Sequence, residues 1–271
     1  MQFRENILPE HKRELMIVGI IPARFASTRL MGKPLADIGG KPMIQHTYES
    51  SKSSRLLHEI IIATDDEKVA EISRNFGANV FITPKEIATG SDRIAFVAKQ
   101  LPKAEIIVNI QGDEPFIKGI MIDQAIEPLL FDPSVNVSTL AKKIETVEEL
   151  KSPAVTKVVF DYNNFALYFS RSPIPFVRDA KTMFDRIIKA DIYKHIGLYV
   201  YRREALLKFT SLEPTDLEQI EKLEQLRMLE NSFKIKVVVT TYESLAVDTP
   251  DDLKRARSYY ARMQRENNEV S

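Results

Sequence analysis

From residue 16 to about residue 140, short apolar runs alternate with stretches of helical spacing, and that alternation leaves few folds open to the chain. The runs fall at 16–21, 59–63, 79–82, 105–110 and 136–140. Their length and their Ile and Val content mark them as buried strands. Helical spacing occupies 42–54, 66–76, 92–101 and 119–130. Strand–helix–strand units that share a sheet cross over right-handed. The expected architecture is α/β: a Rossmann-like, mainly parallel sheet flanked by helices. Such sheets bind nucleotides at the carboxyl ends of their strands. The informative loops are then 22–34, 64–66 and 111–115.

The rhythm changes after residue 150. Runs at 156–160, 165–169 and 196–201 read as strands, with Asp161-Tyr162-Asn163-Asn164 as a hairpin turn and Ser172-Pro173-Ile174-Pro175 as a break. These features predict a smaller antiparallel insertion at about 152–202, inside a single domain covering 16–271. A helix over 215–230, a strand over 234–240 and a terminal helix from Pro250 complete the domain. Residues 1–15 are charged throughout and read as an N-terminal extension.

Lys+Arg and Asp+Glu both number 38, so the net charge is zero. That argues against nucleic-acid binding, which draws on excess cations. Anionic ligands must be held by local clusters. With no cysteine, disulfides, thiolate metal sites and cysteine nucleophiles are excluded. The four histidines, at 11, 46, 58 and 195, are too scattered to suggest zinc. Any metal is expected to be a hard cation on carboxylates. The apolar run at 16–21 is too short for a signal peptide or a membrane span. A cytoplasmic protein without a membrane partner is the expectation.

The loop after the first strand carries Arg24, Arg29 and Lys33 beside Ser27, Thr28 and Gly32. Backbone N–H groups and cations in such a loop can meet a polyphosphate. A solvated basic turn is the competing reading. It is not a Walker loop: Ser27 stands at the first Gly position and Pro34 at the hydroxyl position. No G-x-G-x-x-G run follows the strand either.

Two carboxylate sites lie farther on. Gln111-Gly112-Asp113-Glu114-Pro115 ends a buried run, where Asp113 can hold Mg²⁺ against phosphates or simply cap a turn. In Val247-Asp248-Thr249-Pro250-Asp251-Asp252, either Asp248 or Thr249 is a good helix cap, and Asp248 can also join Asp113 at one magnesium site. Thr89-Gly90-Ser91-Asp92-Arg93 opens a helix and can pack against a flat base, or serve only as a cap. Arg171, after Tyr168-Phe169-Ser170, suits bidentate pairing with a carboxylate. His195, in Lys194-His195-Ile196-Gly197-Leu198-Tyr199, can meet hydroxyl groups or be a satisfied core histidine. Glu221, Glu224 and Gln225 share a helix face that is either a site or a solvated surface.

Taken together, these segments resemble the sugar nucleotidyltransferases, specifically the cytidylyltransferases that activate the eight-carbon acid sugar Kdo (3-deoxy-manno-octulosonate). The resemblance runs from residue 16 to about 263. It rests on I-P-A-R-F-A-S-T-R-L-x-G-K-P-L, A-T-D-D, Q-G-D-E-P, L-Y-F-S-R, H-I-G-L-Y, L-E-Q-L-R and V-D-T-P-x-D-L in that order. Departures are the extension, Met31 where Pro is common, and Thr89/Ser91 with the two hydroxyl residues exchanged. The resemblance implies CTP plus Kdo giving CMP-Kdo and pyrophosphate, with Mg²⁺, in a homodimer joined through the insertion. By position, Arg24, Ser27, Arg29 and Lys33 would face the triphosphate, and Gly90 and Ser91 the nucleotide. Arg93, Gln111, Arg171, His195, Tyr199, Glu224 and Gln225 would face the sugar. Asp113 and Asp248 would hold the metal and, with Lys33, carry the catalysis. Another acid sugar such as 8-amino-Kdo or sialic acid, and a non-catalytic nucleotide-binding regulator, remain as alternatives.

Overall fold

The computed structural model describes residues 15–25 and 30–269, so the N-terminal extension, Ser27 and Arg29 lie outside the described residues. Eleven strands follow in chain order. They are β1 (Ile17–Ala23), β2 (Asp37–Ile38), β3 (Lys41–Pro42), β4 (Glu59–Thr64), β5 (Asn79–Ile82), β6 (Ile106–Asn109), β7 (Val137–Lys143), β8 (Lys157–Phe160), β9 (Ala166–Ser170), β10 (Tyr193–Arg202) and β11 (Ile235–Val239). The main sheet runs β11-β7-β10-β6-β1-β4-β5, with β8 and β9 added beside β10. β2 and β3 form a separate hairpin.

β1, β4, β5 and β6 are mutually parallel. β10 is antiparallel to both β6 and β7, and β11 is parallel to β7. Six of the seven strands on that path therefore share one direction. Both faces are covered. Along β1, Ile17, Ile21 and Ala23 pack into one apolar cluster and Val18 and Ile20 into the opposite one. A strand buried on both faces reads as a continuous apolar run, which is why the sequence reveals it.

Two expectations need correction. Residues 196–201 are not part of a separate insertion: they belong to β10, which lies in the middle of the sheet between β6 and β7. Only β8, β9 and the segment up to the helix Met183–Lys189 project from it. Pairing between strands nearly a hundred residues apart leaves no local signature. The expected helix over 215–230 is two short helices, Asp216–Glu221 and Gln225–Glu230. The first ends at Lys222, which takes a left-handed backbone (φ 53°). Arg171 explains the break. Its guanidinium donates to the carbonyls of Glu221 (2.7 Å) and Lys222 (3.2 Å), satisfying C-terminal acceptors that a continuing helix would have used. Across the break, Arg227 pairs with Glu218 through two 2.7 Å bonds in a buried setting.

Candidate active site

Because β10 runs against its neighbours, its amino-terminal half lies beside the carboxyl ends of β6 and β7. Side chains from both strand directions thus reach one edge of the sheet. The loops after β1, β6 and β11 arrive at the same edge.

After β1, Gly32 turns the chain through φ 65° into a short 3₁₀ helix, Lys33–Leu35. Lys33 Nζ donates to Asp113 Oδ2 at 2.6 Å and to Asp248 Oδ1 at 2.7 Å. These partners lie 80 and 215 residues away along the chain. Asp113 is held close to β1 by Gly112, where an added Cβ would sit 2.7 Å from the Pro22 carbonyl. Asp248 arrives on a loop docked by Val247, whose N–H donates to the Asp113 carbonyl at 2.9 Å. Val247 is itself buried with Ile38, Met43, Phe116 and Leu253. Helix capping falls to Thr249 and Asp252, which exchange backbone and side-chain bonds, so the Asp248 carboxylate turns to Lys33 instead.

With side-chain exposures of 28% and 40%, Asp113 and Asp248 remain open to a ligand from solvent. Their oxygens already share one cationic nitrogen, so the place between them stabilises positive charge. Mg²⁺ favours hard oxygens, takes one or two carboxylates, and completes its octahedron with water and phosphate. This pair fits that pattern. No cluster of three or more metal-ligating side chains occurs among the described residues, so an all-protein cage is not what the site offers.

Gln111, two residues before Asp113 in the same turn, lines a cavity of about 270 Å³. Gly90 and Ser91 enter it from a helix start, Gln111 from the loop after β6, and His195 and Tyr199 from β10. Glu224 and Gln225 come from the helix break. The break is what aims them: one continuous helix would carry both along its side. Ser91 Oγ donates to Glu224 Oε2 at 2.6 Å, while burial pushes the Glu224 carboxyl above its usual range. Thr89 caps the helix by accepting from the Asp92 N–H at 3.0 Å. The exchanged Thr-Gly-Ser order thus has a physical division: the residue before Gly90 caps, and the smaller hydroxyl after it reaches the cavity. Burial of His195 pushes its ring down to about 3, so the imidazole is neutral at physiological pH.

Arg93 and Arg171, expected at the sugar, are not brought to the cavity wall, and neither is Arg24, expected at the triphosphate. Arg93 is 2% exposed and donates to Asp65 Oδ2 at 2.9 Å and to Thr83 Oγ1, joining the ends of β4 and β5. Arg171 adds a 2.9 Å bond to the Pro153 carbonyl to those it makes at the helix end, which commits its guanidinium to backbone. Arg24 is exposed and donates to the Ala88 carbonyl at 3.2 Å. The sequence reading missed Asn109, Thr156 and Tyr201, which also line the cavity. Asn109 had a signal, being the one polar residue among Ile106–Ile110. Its Oδ1 is buried without a hydrogen-bond partner among the described residues and is left to bond to a ligand or water, while the Tyr199 hydroxyl lies beside that of Thr139.

Glu114 adds a pH dependence. Burial pushes its carboxyl up to about 7, aided by the Asp113 charge and opposed by the Ser244 hydrogen bond. Between the ordinary carboxyl value and about 7 the folded chain keeps a proton that the unfolded chain has lost. The associated stability is full below the unfolded value and is lost as pH rises through about 7. Glu114→Gln keeps the shape and removes the titration. The wild type is expected to lose more melting temperature than the variant between about pH 5 and pH 8. Equal losses in the two proteins would show that Glu114 does not titrate in that interval.

A family model described as cytidylyltransferase matches residues 18–235. The 3-deoxy-manno-octulosonate cytidylyltransferase of Geobacter sulfurreducens is 53% identical over 243 residues, 88% of this chain and 97% of that one. That of Geobacter metallireducens is 51% identical over 254 residues, covering 92% of this chain and 100% of its own. A solved CMP:2-keto-3-deoxy-manno-octonic acid synthetase complexed with CTP superposes with a TM-score of 0.85 at 38% identity, covering 92% and 99% of the two chains.

Proposed function

The chain belongs to the cytidylyltransferase family, among the 3-deoxy-manno-octulosonate cytidylyltransferases, and on that premise we propose that it transfers CMP from CTP to the anomeric hydroxyl of Kdo. The observation that carries the reading is the meeting of Lys33 with Asp113 and Asp248 at the carboxyl ends of the strands, on the loop whose Gln111 lines the cavity. The anomeric hydroxyl gives up its proton to solvent and its oxygen bonds to the α-phosphorus, as the bond to the bridging oxygen breaks and pyrophosphate leaves. No covalent enzyme intermediate is needed, so catalysis is positioning and charge neutralisation. Mg²⁺ held by Asp113 and Asp248 would supply charge against the α-phosphate and acidify the attacking hydroxyl. Arg24 and Lys33 face the triphosphate, and the motif assigns Ser27 and Arg29 to the same ligand. Gly90 and Ser91 bound the nucleotide, and Gln111, His195, Tyr199, Glu224 and Gln225 hold the sugar. Use of CTP places the reaction in the cytoplasm.

The direct test is pyrophosphate release from CTP with Kdo, 8-amino-Kdo and sialic acid in parallel. Turnover is expected with Kdo. Release with sialic acid alone, or with none of the three, would overturn the reading. Within it, Lys33→Ala removes a charge-assisted contact of about 1.5–3 kcal/mol, so kcat/KM for CTP should fall roughly ten- to hundredfold. An unchanged value would confine Lys33 to joining the two carboxylates.

The same reading includes a homodimer. The helix Met183–Lys189 packs Met183 and Ile187 toward Ile144 and Ile192, and turns Phe184 (61% exposed) and Ile188 (67% exposed) outward. Phe176 is exposed on the same segment, with the Arg186 guanidinium 4.8 Å over its ring. Paired apolar side chains at i and i+4 suit burial against a second copy. Phe184→Asp with Ile188→Asp should convert a dimer to a monomer in sedimentation velocity. A wild type that sediments as a monomer at micromolar concentration would remove this element.

A further inference from the structure

Thr139 lies in β7 behind the cavity wall, fully buried, and no motif singles it out. Its neighbours depend on an irregularity in β10. Ile196 pairs with Leu140 and Tyr199 with Thr139, so Gly197 and Leu198 are extra residues opposite a single step of β7. The bulge turns two carbonyls toward the Thr139 hydroxyl. Thr139 Oγ1 lies 2.8 Å from the Leu198 carbonyl oxygen and 3.3 Å from that of Ile196. It also lies 2.8 Å from His195 Nε2.

A threonine hydroxyl has one hydrogen, and a carbonyl oxygen only accepts. The hydroxyl hydrogen is therefore spent on a carbonyl, Leu198 being the nearer. The contact with His195 then needs its hydrogen from the ring, so Nε2 carries it. The ring is partly buried between Phe169 and Tyr199, with centroids 5.1 and 5.2 Å away, and desolvation there favours its neutral form. A neutral imidazole has one N–H, so Nδ1 is bare. Nδ1 makes no hydrogen bond among the described residues, and His195 lines the cavity.

From this geometry we infer that Thr139 is a positioning residue that fixes His195 as its Nε2–H tautomer, making Nδ1 an acceptor for a hydroxyl of the sugar substrate. The inference rests on reading the cavity as the sugar site. It adds a selection rule, because a bare nitrogen welcomes an O–H or N–H donor and repels a carboxylate. The acid group of the sugar must therefore face elsewhere, and the His195 side of the cavity selects a hydroxyl-bearing carbon.

The first test needs no substrate. Long-range ¹H–¹⁵N correlation spectra of the ligand-free enzyme, with His195 assigned by comparison with His195→Gln, report which ring nitrogen is protonated. The expected spectrum has Nε2 in the protonated range and Nδ1 in the unprotonated range. The reverse pattern, or a charged ring near neutral pH, would overturn the tautomer assignment whatever the activity assay finds. The second test compares Thr139→Val with Thr139→Ser. The Val variant loses the hydroxyl and should show mixed tautomers. Its kcat/KM for Kdo should fall about tenfold, the scale of one buried hydrogen bond, with KM for CTP within about twofold of wild type. The Ser variant keeps the hydroxyl and should restore both the spectrum and the sugar constants. A Val variant with wild-type sugar constants, or with sugar and CTP constants falling together, would remove Thr139 from this role.

Discussion

Asp113→Asn and Asp248→Asn are each expected to lower turnover by at least about 10²-fold, the scale on which one preorganised electrostatic group contributes to a transition state. Both substitutions keep the shape and remove a charge. Each carboxylate contacts Lys33, at 2.6 and 2.7 Å, and both remain partly open to solvent. The main-chain docking of these loops does not depend on either carboxylate. The Val247 N–H docks on the Asp113 main-chain carbonyl, and the terminal helix is capped by Thr249 and Asp252. Melting temperatures are therefore expected to stay near the wild-type value. The magnesium concentration for half-maximal activity should rise in both variants. If both retain near-normal turnover, neither carboxylate belongs to the metal site.

Arg93→Met is expected to cost stability and to leave substrate use unchanged. Asp65, 9% exposed at its side chain, would lose the Arg93 guanidinium while staying largely shielded from water. Breaking a buried pair by removing one member typically costs about 3–5 kcal/mol, because a charge is left uncompensated. For a domain of this size that is a fall on the order of 10 °C in melting temperature. Asp65→Asn in the Arg93→Met background should recover part of the loss, since the stranded charge is gone. The Michaelis constants for CTP and Kdo, measured well below the transition, should stay near wild type. An unaltered melting temperature with a raised sugar constant would return Arg93 to the cavity.

These two predictions separate what the motifs carry from what they do not. Asp113 and Arg93 both sit in segments typical of the family, and local sequence does not distinguish a residue facing the ligand from one bracing the frame. Asp113 follows a strand on a loop pinned by Gly112 against the Pro22 carbonyl, so its carboxylate meets the open edge. Arg93 lies one helical turn after Thr89 and points at the ends of β4 and β5, where Asp65 and Thr83 take its charge. Arg171 shows the same difference. Its fork suits a carboxylate, yet the carbonyls of Pro153, Glu221 and Lys222 reach it first.

The strands were legible because a sheet covered on both faces demands continuous apolar runs, and only the chain's own residues can meet that demand. Helix starts near Asp66, at Thr89–Asp92 and at Asp248 or Thr249 were legible for a similar reason: a cap is a contact over three or four residues. The sequence alone therefore determined the β–α alternation, the caps and the loops that carry Lys33, Asp113 and Asp248. Tertiary structure decided everything set by partners far along the chain. It placed β10 inside the sheet, through pairing with β6 and β7. It broke the helix at Lys222, with no Gly or Pro to announce it, because Arg171 caps the exposed carbonyls and Glu218–Arg227 locks the far side. That break directs Glu224 and Gln225 into the cavity. Short-range interactions recur as patterns along a chain, whereas the partner of a buried charge is known only once the chain has closed around it.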